Sequence, residues 1–148
     1  MKQYLAIIFL FCLLGSCSDN KEQVNELEKE VLDTHDDVMA YMDDIMTLRN
    51  RIKKELASID SLENEGIADN NGAQQRLTLQ QLDDQLDQSD AQMMQWMRAY
   101  NGDSAKNLNT QEAMRYFEVE KEKIDQLKSN TEKSVQEVKT YFEKQNEH

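Results

Sequence analysis

The chain has 148 residues, enough for one domain, and 29 acidic side chains against 17 Lys and Arg give it a formal charge of −12. This acidic balance excludes the usual kind of nucleic-acid binder, because phosphates require a basic face. It also disfavours adsorption to anionic lipid head groups, so attachment to a membrane would need a separate anchor. The chain has no Pro and only four Gly, a composition that favours long helices over a sheet.

The N-terminus carries the pattern of a secretory signal peptide. Lys2 precedes a ten-residue apolar segment, LAIIFLFCLL, which is too short to cross a bilayer as a helix. The end of this segment continues into LGSC, which resembles the bacterial lipobox, where the peptide is cut before the Cys and its thiol is acylated. We therefore expect a cleaved signal peptide at residues 1–16 and a lipid, such as palmitate, on Cys17. Two or three acyl chains would anchor the protein stably in a bilayer.

Cleavage would leave an acidic domain without disulfides. Cys12 would leave with the signal peptide, and the thiol of Cys17 would be consumed by lipid. The mature chain would have 16 basic and 29 acidic side chains, a formal charge of −13. Residues 17–23 are predicted to be a lipidated tether, and residues 24–148 the folded domain.

The folded part begins with one long amphipathic helix, predicted over residues 20–62. Six β-branched residues recur there at intervals of seven: Val24, Val31, Val38, Ile45, Ile52 and Ile59. A strict seven-residue repeat drifts around a straight helix, so it predicts a left-handed, coiled-coil-like supercoil. The polar segment 63–72, which contains Gly66 and Gly72, is predicted to be a loop.

Two further amphipathic helices are predicted at residues 73–100 and 110–145, separated by a second loop at 101–109. The second helix carries the stripe Leu79, Leu82, Leu86, Ser89, Met93, Trp96 and Tyr100. The third carries Ala113, Phe117, Glu120, Ile124, Leu127, Thr131, Val135, Val138 and Phe142. Long amphipathic helices joined by short polar connections predict an all-α fold, an up-down-up three-helix bundle.

A methionine-rich layer is predicted where these helices pack together. Its members are His35, Met39, Met42, Met93, Trp96, Met97 and Met114. A turn near residue 67 would bring Met42 to Met93. The same turn would bring Met39 to Trp96 and His35 to Tyr100.

Three interpretations of this layer are open. Met side chains fill irregular core space and pack on a Trp ring, which accounts for the composition without a ligand and is the interpretation we favour. A partly covered Met surface could instead dock a partner protein. The third interpretation is a Cu(I) site, because thioethers and an imidazole are soft ligands, but only Met39 and Met42 are expected within reach of His35. We expect His35 to bond a neighbouring carboxylate.

The sequence predicts no enzyme and no cofactor. After lipidation no free thiol remains, His148 is the last residue, and the serines of the predicted helices have no His nearby. The glycines confined to loops cannot form a phosphate cradle.

Two segments resemble a known group of proteins. Residues 35–42, HDDVMAYM, follow the pattern HDxxMxxM, and residues 93–97, MMQWM, resemble a second signature. The chain thereby resembles small uncharacterised helical lipoproteins of the Bacteroidota, some of them labelled viral inclusion-like for their coiled-coil similarity. This resemblance implies a helical envelope lipoprotein and supplies no reaction or ligand. That group often has Pro before the second Met, and Ala40 in this place predicts an unbroken first helix.

These observations together predict a non-catalytic protein. We expect it to be held in the outer membrane by lipid, on the periplasmic face or the cell surface, and to act by binding another protein. The alternative is a periplasmic copper-binding protein that uses the layer of His and Met side chains.

Overall fold

The computed structural model describes residues 16–67 and 70–146. Within these ranges it contains five helices: α1 Ser16–Met39, α2 Met42–Asn64, α3 Asn70–Ala99, α4 Gly102–Ala105 and α5 Thr110–Asn146. No strand occurs in them, so the all-α prediction is confirmed. Except for Ser16, the predicted signal peptide lies outside the described residues. Residues 17–23, which were predicted to be a tether, form the first turns of α1.

The three predicted stripes form the core. All six β-branched residues of the first stripe are buried, and three of them, Val31, Val38 and Ile52, are fully enclosed. The other two stripes are also buried, apart from Tyr100 and Leu127, which are half-buried. Residues at intervals of three and four lie on one side of a helix, which explains why the sequence pattern locates the core. None of the helices in the described ranges has the length and apolar character needed to cross a bilayer.

The first long helix is interrupted, and the prediction of an unbroken helix over residues 20–62 was wrong. At Ala40 and Tyr41 the backbone makes a turn, in which the Tyr41 N–H donates to the carbonyl of Val38 at 3.0 Å. This bond spans three residues and is tighter than an α-helical bond. The interruption separates α1, which packs mainly on α5, from α2, which packs mainly on α3. The break therefore lies where the first helical segment changes its packing partner, and it forms without a Pro.

The two segments predicted to be loops contain more helix than predicted. Helices α2 and α3 extend into the segment 63–72, so Gly72 lies in α3 instead of a loop. The segment 101–109 contains the short helix α4, and the predicted cap is present, since Asn109 Oδ1 accepts from the Glu112 N–H at 3.0 Å. Gly66 has a φ of +76°, and the Ile67 N–H reaches the carbonyl of Leu62 at 3.0 Å. This is the Schellman arrangement that ends many helices at a glycine.

Ion pairs connect the helices along their edges. Arg49 of α2 donates to Asp83 of α3 at 2.9 Å and to Asp87 at 2.5 Å. Lys128 of α5 pairs with Asp37 of α1, and Lys139 of α5 pairs with Asp44 of α2, both at 2.7 Å. Arg49 and Asp83 are half-buried, whereas the two lysine pairs are more exposed and each contributes little to stability. Together the pairs show which residues of neighbouring helices lie side by side.

Candidate functional site

Trp96 lies at the centre of the predicted methionine-rich layer and is 7% exposed. It shares one buried cluster with Val31, Val38, Met93 and Ile124, and the half-buried side chains of Met42, Met97, Tyr100 and Leu127 pack against this cluster. The structure therefore brings three of the methionines, Met42, Met93 and Met97, together with the indole. Thioether and indole groups in contact form a favourable apolar arrangement.

Two predicted members of the layer lie elsewhere. Met39 is 38% exposed, while Met114 packs against a neighbouring cluster formed by Val24, Ala105, Ala113 and Phe117. Met93 and Trp96 are buried, so they cannot belong to a surface that docks a partner. Of the seven residues, only Met39 has an exposed side chain.

The contact register between α1 and α3 differs from the prediction by one helical turn. His35 was expected beside Tyr100, but its ring lies 5.8 Å from the ring of Trp96. Residues one turn apart lie on the same face of a helix, so an apolar stripe is equally compatible with both registers. As a result, Met97 and not Met39 or Met42 is the methionine that contacts His35.

The His35 imidazole bridges a carboxylate and a thioether. Its Nδ1 lies 2.9 Å from Oδ1 of Asp36, and its Nε2 lies 3.3 Å from Sδ of Met97. The expected bond from His35 to a neighbouring carboxylate is therefore present. The side chain is 22% exposed, so part of it is accessible to solvent.

A buried carboxylate holds the indole from the opposite helix. Glu120 of α5 is 6% exposed, and its Oε2 accepts a hydrogen bond of 2.9 Å from Nε1 of Trp96. Its Oε1 accepts from Nζ of Lys123 at 2.7 Å. The sequence pattern placed Glu120 in the apolar stripe of the third helix and gave it no role. An acidic residue in an apolar stripe could have indicated a polar contact in the core, because a buried charge needs partners.

The aromatic contacts continue from Trp96 towards α4. Tyr100 stacks on Trp96 with ring centroids 4.9 Å apart, and its hydroxyl is buried without a hydrogen-bond partner among the described residues. Burial, followed by the negative charge of Glu28, raises the pKa of Tyr100 to about 12. A Cβ at Gly102 would lie 2.6 Å from the Tyr100 hydroxyl oxygen, so a larger residue there would require the Tyr100 ring to move.

The exposed side of the first two helices carries a second apolar stripe. Leu32, Met39 and Met46 are spaced by seven and are 41%, 38% and 61% exposed. Met46 also lines a surface groove of about 350 Å³ between α2 and α3, together with Met42, Ile45, Arg49 and Asp90. We refer to Leu32, Met39 and Met46 as the outer stripe.

Within the described residues, no three His, Cys, Asp or Glu side chains are grouped so that they could hold a metal ion. Methionine thioethers can also bind soft metal ions. The sulfur of Met97 contacts the imidazole of His35. Cys17 lies in the first turn of α1, next to the start of the described residues.

Comparison with protein-family models, with curated proteins and with solved structures finds no match to this chain in any of the three.

Proposed function

We propose that this chain is a non-catalytic lipoprotein of the bacterial outer membrane that binds another protein through the outer stripe. The observation that carries the proposal is the exposure of three large apolar side chains at a regular spacing of seven residues. A free helix surface is normally polar, and a row of exposed apolar groups marks an interaction surface.

The lipid anchor is supported by the sequence LGSC behind a short apolar segment. The helix that contains Cys17 leads directly into the bundle, so the acyl chains would hold the end of α1 at the membrane surface. Mass spectrometry of the membrane fraction tests the anchor. We expect a mature chain that begins at an acylated Cys17, and an unmodified Cys17 would contradict the proposal.

We also propose the up-down-up arrangement for the three long helical segments, with α1 and α2 together forming the first. Two sets of ion pairs support it. Asp37 of α1 pairs with Lys128 of α5, and Asp44 of α2 pairs with Lys139 of α5. The residue numbers rise together on both sides, as they would for parallel segments. Residues 49 and 60 pair with 83 and 76 of α3, in reverse order, as antiparallel segments would.

Met side chains suit the outer stripe to protein binding. They are flexible and polarizable, so they adapt to the shape of an apolar partner surface. The groove beside Met46 extends the contact area from α2 onto α3. An amphipathic segment of a partner would place its apolar face on the outer stripe and reach this groove.

Charge favours a basic partner over a second copy of this chain. The exposed carboxylates of Asp36 and Asp43 flank the outer stripe. The mature chain carries a formal charge of −13, so two copies would repel each other. We therefore propose a partner protein whose contact surface is apolar at its centre and carries Lys or Arg at its rim.

Photo-crosslinking in intact cells tests this surface. A benzophenone amino acid in place of Met46 should give one discrete adduct, and the same group in place of Glu122, exposed on α5, should not. Asp43→Lys should weaken the Met46 adduct because it would repel a basic rim. An adduct with the mass of two copies of this chain, or equal adducts from both positions, would contradict the proposal.

A further inference from the structure

The surroundings of His35 contain more hydrogen-bond acceptors than a neutral imidazole can satisfy. Its Nδ1 faces the carboxylate of Asp36 at 2.9 Å, and its Nε2 faces the thioether of Met97 at 3.3 Å. A carboxylate and a thioether both accept hydrogen bonds and donate none. A neutral imidazole carries one N–H, so either tautomer leaves one ring nitrogen with its lone pair directed at another acceptor.

The carboxylate of Asp36 determines which ring nitrogen of a neutral imidazole carries no proton. A hydrogen bond from Nδ1–H to the charged Asp36 is stronger than one to a neutral thioether. With the proton on Nδ1, the lone pair of Nε2 faces the sulfur of Met97 across 3.3 Å. Two lone pairs at that separation repel each other, and the repulsion is relieved when Nε2 binds either a proton or a soft metal cation.

We propose that Nε2 of His35 and Sδ of Met97 bind one soft monovalent cation, Cu(I) or Ag(I), beside the indole of Trp96. An imidazole nitrogen and a thioether are both ligands that suit Cu(I). With metal–ligand distances of about 2.0 Å to nitrogen and 2.3 Å to sulfur, the 3.3 Å separation corresponds to an angle of about 100° at the metal. That angle belongs to a three- or four-coordinate ion, whose remaining positions would be taken by solvent ligands.

The groups around this pair favour a bound cation. The bond from Nδ1 to Asp36 fixes the orientation of the imidazole, as carboxylates do behind many metal-bound histidines. The Trp96 ring lies 5.8 Å from the His35 ring, close enough for its fluorescence to respond to a bound ion. The partial exposure of His35 gives an ion a path from solvent.

The metal site and the partner surface use different contact side chains, although Asp36 adjoins both. The proposed ligands are His35 and Met97, whereas the partner would contact the outer stripe and the groove beside Met46. Loss of the crosslink at Met46 would therefore leave metal binding intact, and failure to bind metal would leave the crosslink intact.

Titration of the full chain carrying Cys12→Ser and Cys17→Ser, purified in detergent, tests the site without competition from cysteine thiols. Ag(I) is followed by Trp96 fluorescence, and Cu(I) is added in competition with a chelator of known affinity. We expect one equivalent of each ion to bind and to quench the fluorescence of the single Trp. Met97→Leu, which nearly conserves volume, should weaken binding at least tenfold. Met94→Leu, which changes an exposed methionine on the same helix, should leave the affinity unchanged.

Two results would overturn the proposal. One is native binding no tighter than that of Met97→Leu, and the other is binding that depends on Met46 instead of Met97. A second measurement uses only the native protein, so its result does not depend on whether the Met97→Leu variant folds. In the native protein labelled with ¹⁵N, Ag(I) should shift the Nε2 resonance of His35 more than its Nδ1 resonance, and an unchanged Nε2 resonance would exclude the site.

Discussion

The indole N–H of Trp96 donates a 2.9 Å hydrogen bond to the carboxylate of Glu120, and both side chains are buried. This bond joins α3 to α5 within the core. Lys123, one turn further along α5, supplies a positive charge to the other oxygen of the same carboxylate. The pair therefore satisfies the polar atoms that the core would otherwise enclose without partners.

Glu120→Leu should lower the free energy of unfolding by about 1–3 kcal/mol, because it leaves a buried indole N–H without an acceptor. Glu120→Gln keeps a carbonyl acceptor and should cost less. Urea unfolding followed by circular dichroism measures both. In the background Trp96→Phe, which removes the donor, the cost of Glu120→Leu should shrink. Equal costs in the two backgrounds would show that the hydrogen bond is not what stabilises Glu120.

Ile45→Asp should unfold the protein. Ile45 is buried, and an unpaired charge at its position costs several kcal/mol against a typical total stability of about 5–15 kcal/mol. The matched control is Asp43→Asn, two residues away on an exposed side chain, which should change stability by less than about 0.5 kcal/mol. Thermal unfolding of the two variants distinguishes them, and similar melting temperatures would contradict the assignment of the faces.

The raised pKa of Tyr100 predicts a loss of stability in alkaline solution. Its pKa is about 12 in the folded chain against an ordinary value of 10.0, so the fold favours the protonated hydroxyl. The resulting stabilisation is fully present below pH 10 and is lost as the pH rises from 10 towards 12. Tyr100→Phe should reduce the alkaline loss of stability and should not destabilise the protein at neutral pH, because the hydroxyl has no described partner.

Lysine ion pairs also titrate in this range, so the quantity to compare is the difference between native protein and Tyr100→Phe at each pH. The difference should be constant up to about pH 10 and should change above it. A difference that stays constant to pH 12 would contradict the prediction.

Gly66→Ala should destabilise the protein by about 1–2 kcal/mol, because Gly66 has a φ of +76° and a Cβ is strained in that region. No atom of the described residues lies within 4 Å of the position that a Cβ would occupy, so backbone strain is the cause of the expected loss. Gly66→Asn should cost less, since Asn tolerates the left-handed conformation better than Ala does. Denaturant unfolding of the three proteins tests this order, and an Ala variant as stable as the native chain would refute it.

Much of the fold can be predicted from the sequence because it depends on local periodicity. The stripes from Val24 to Ile59 and from Ala113 to Phe142 are the buried faces of their helices. The connections were less predictable. Gly72 lies within a helix and Ala40 within a break, because packing against other helices outweighs the small preferences of single residues.

The sequence by itself determined where the three amphipathic stripes lie and which face of each helix is buried, since both follow from spacings of three and four residues along one chain. Only the tertiary structure decided that His35 meets Met97 and that Glu120 meets Trp96. Successive turns of a helix present similar faces, so a stripe fixes which side is buried but leaves the register between helices open by one turn. Side-chain packing across the core selects that register, and the two contacts that define the candidate site depend on it.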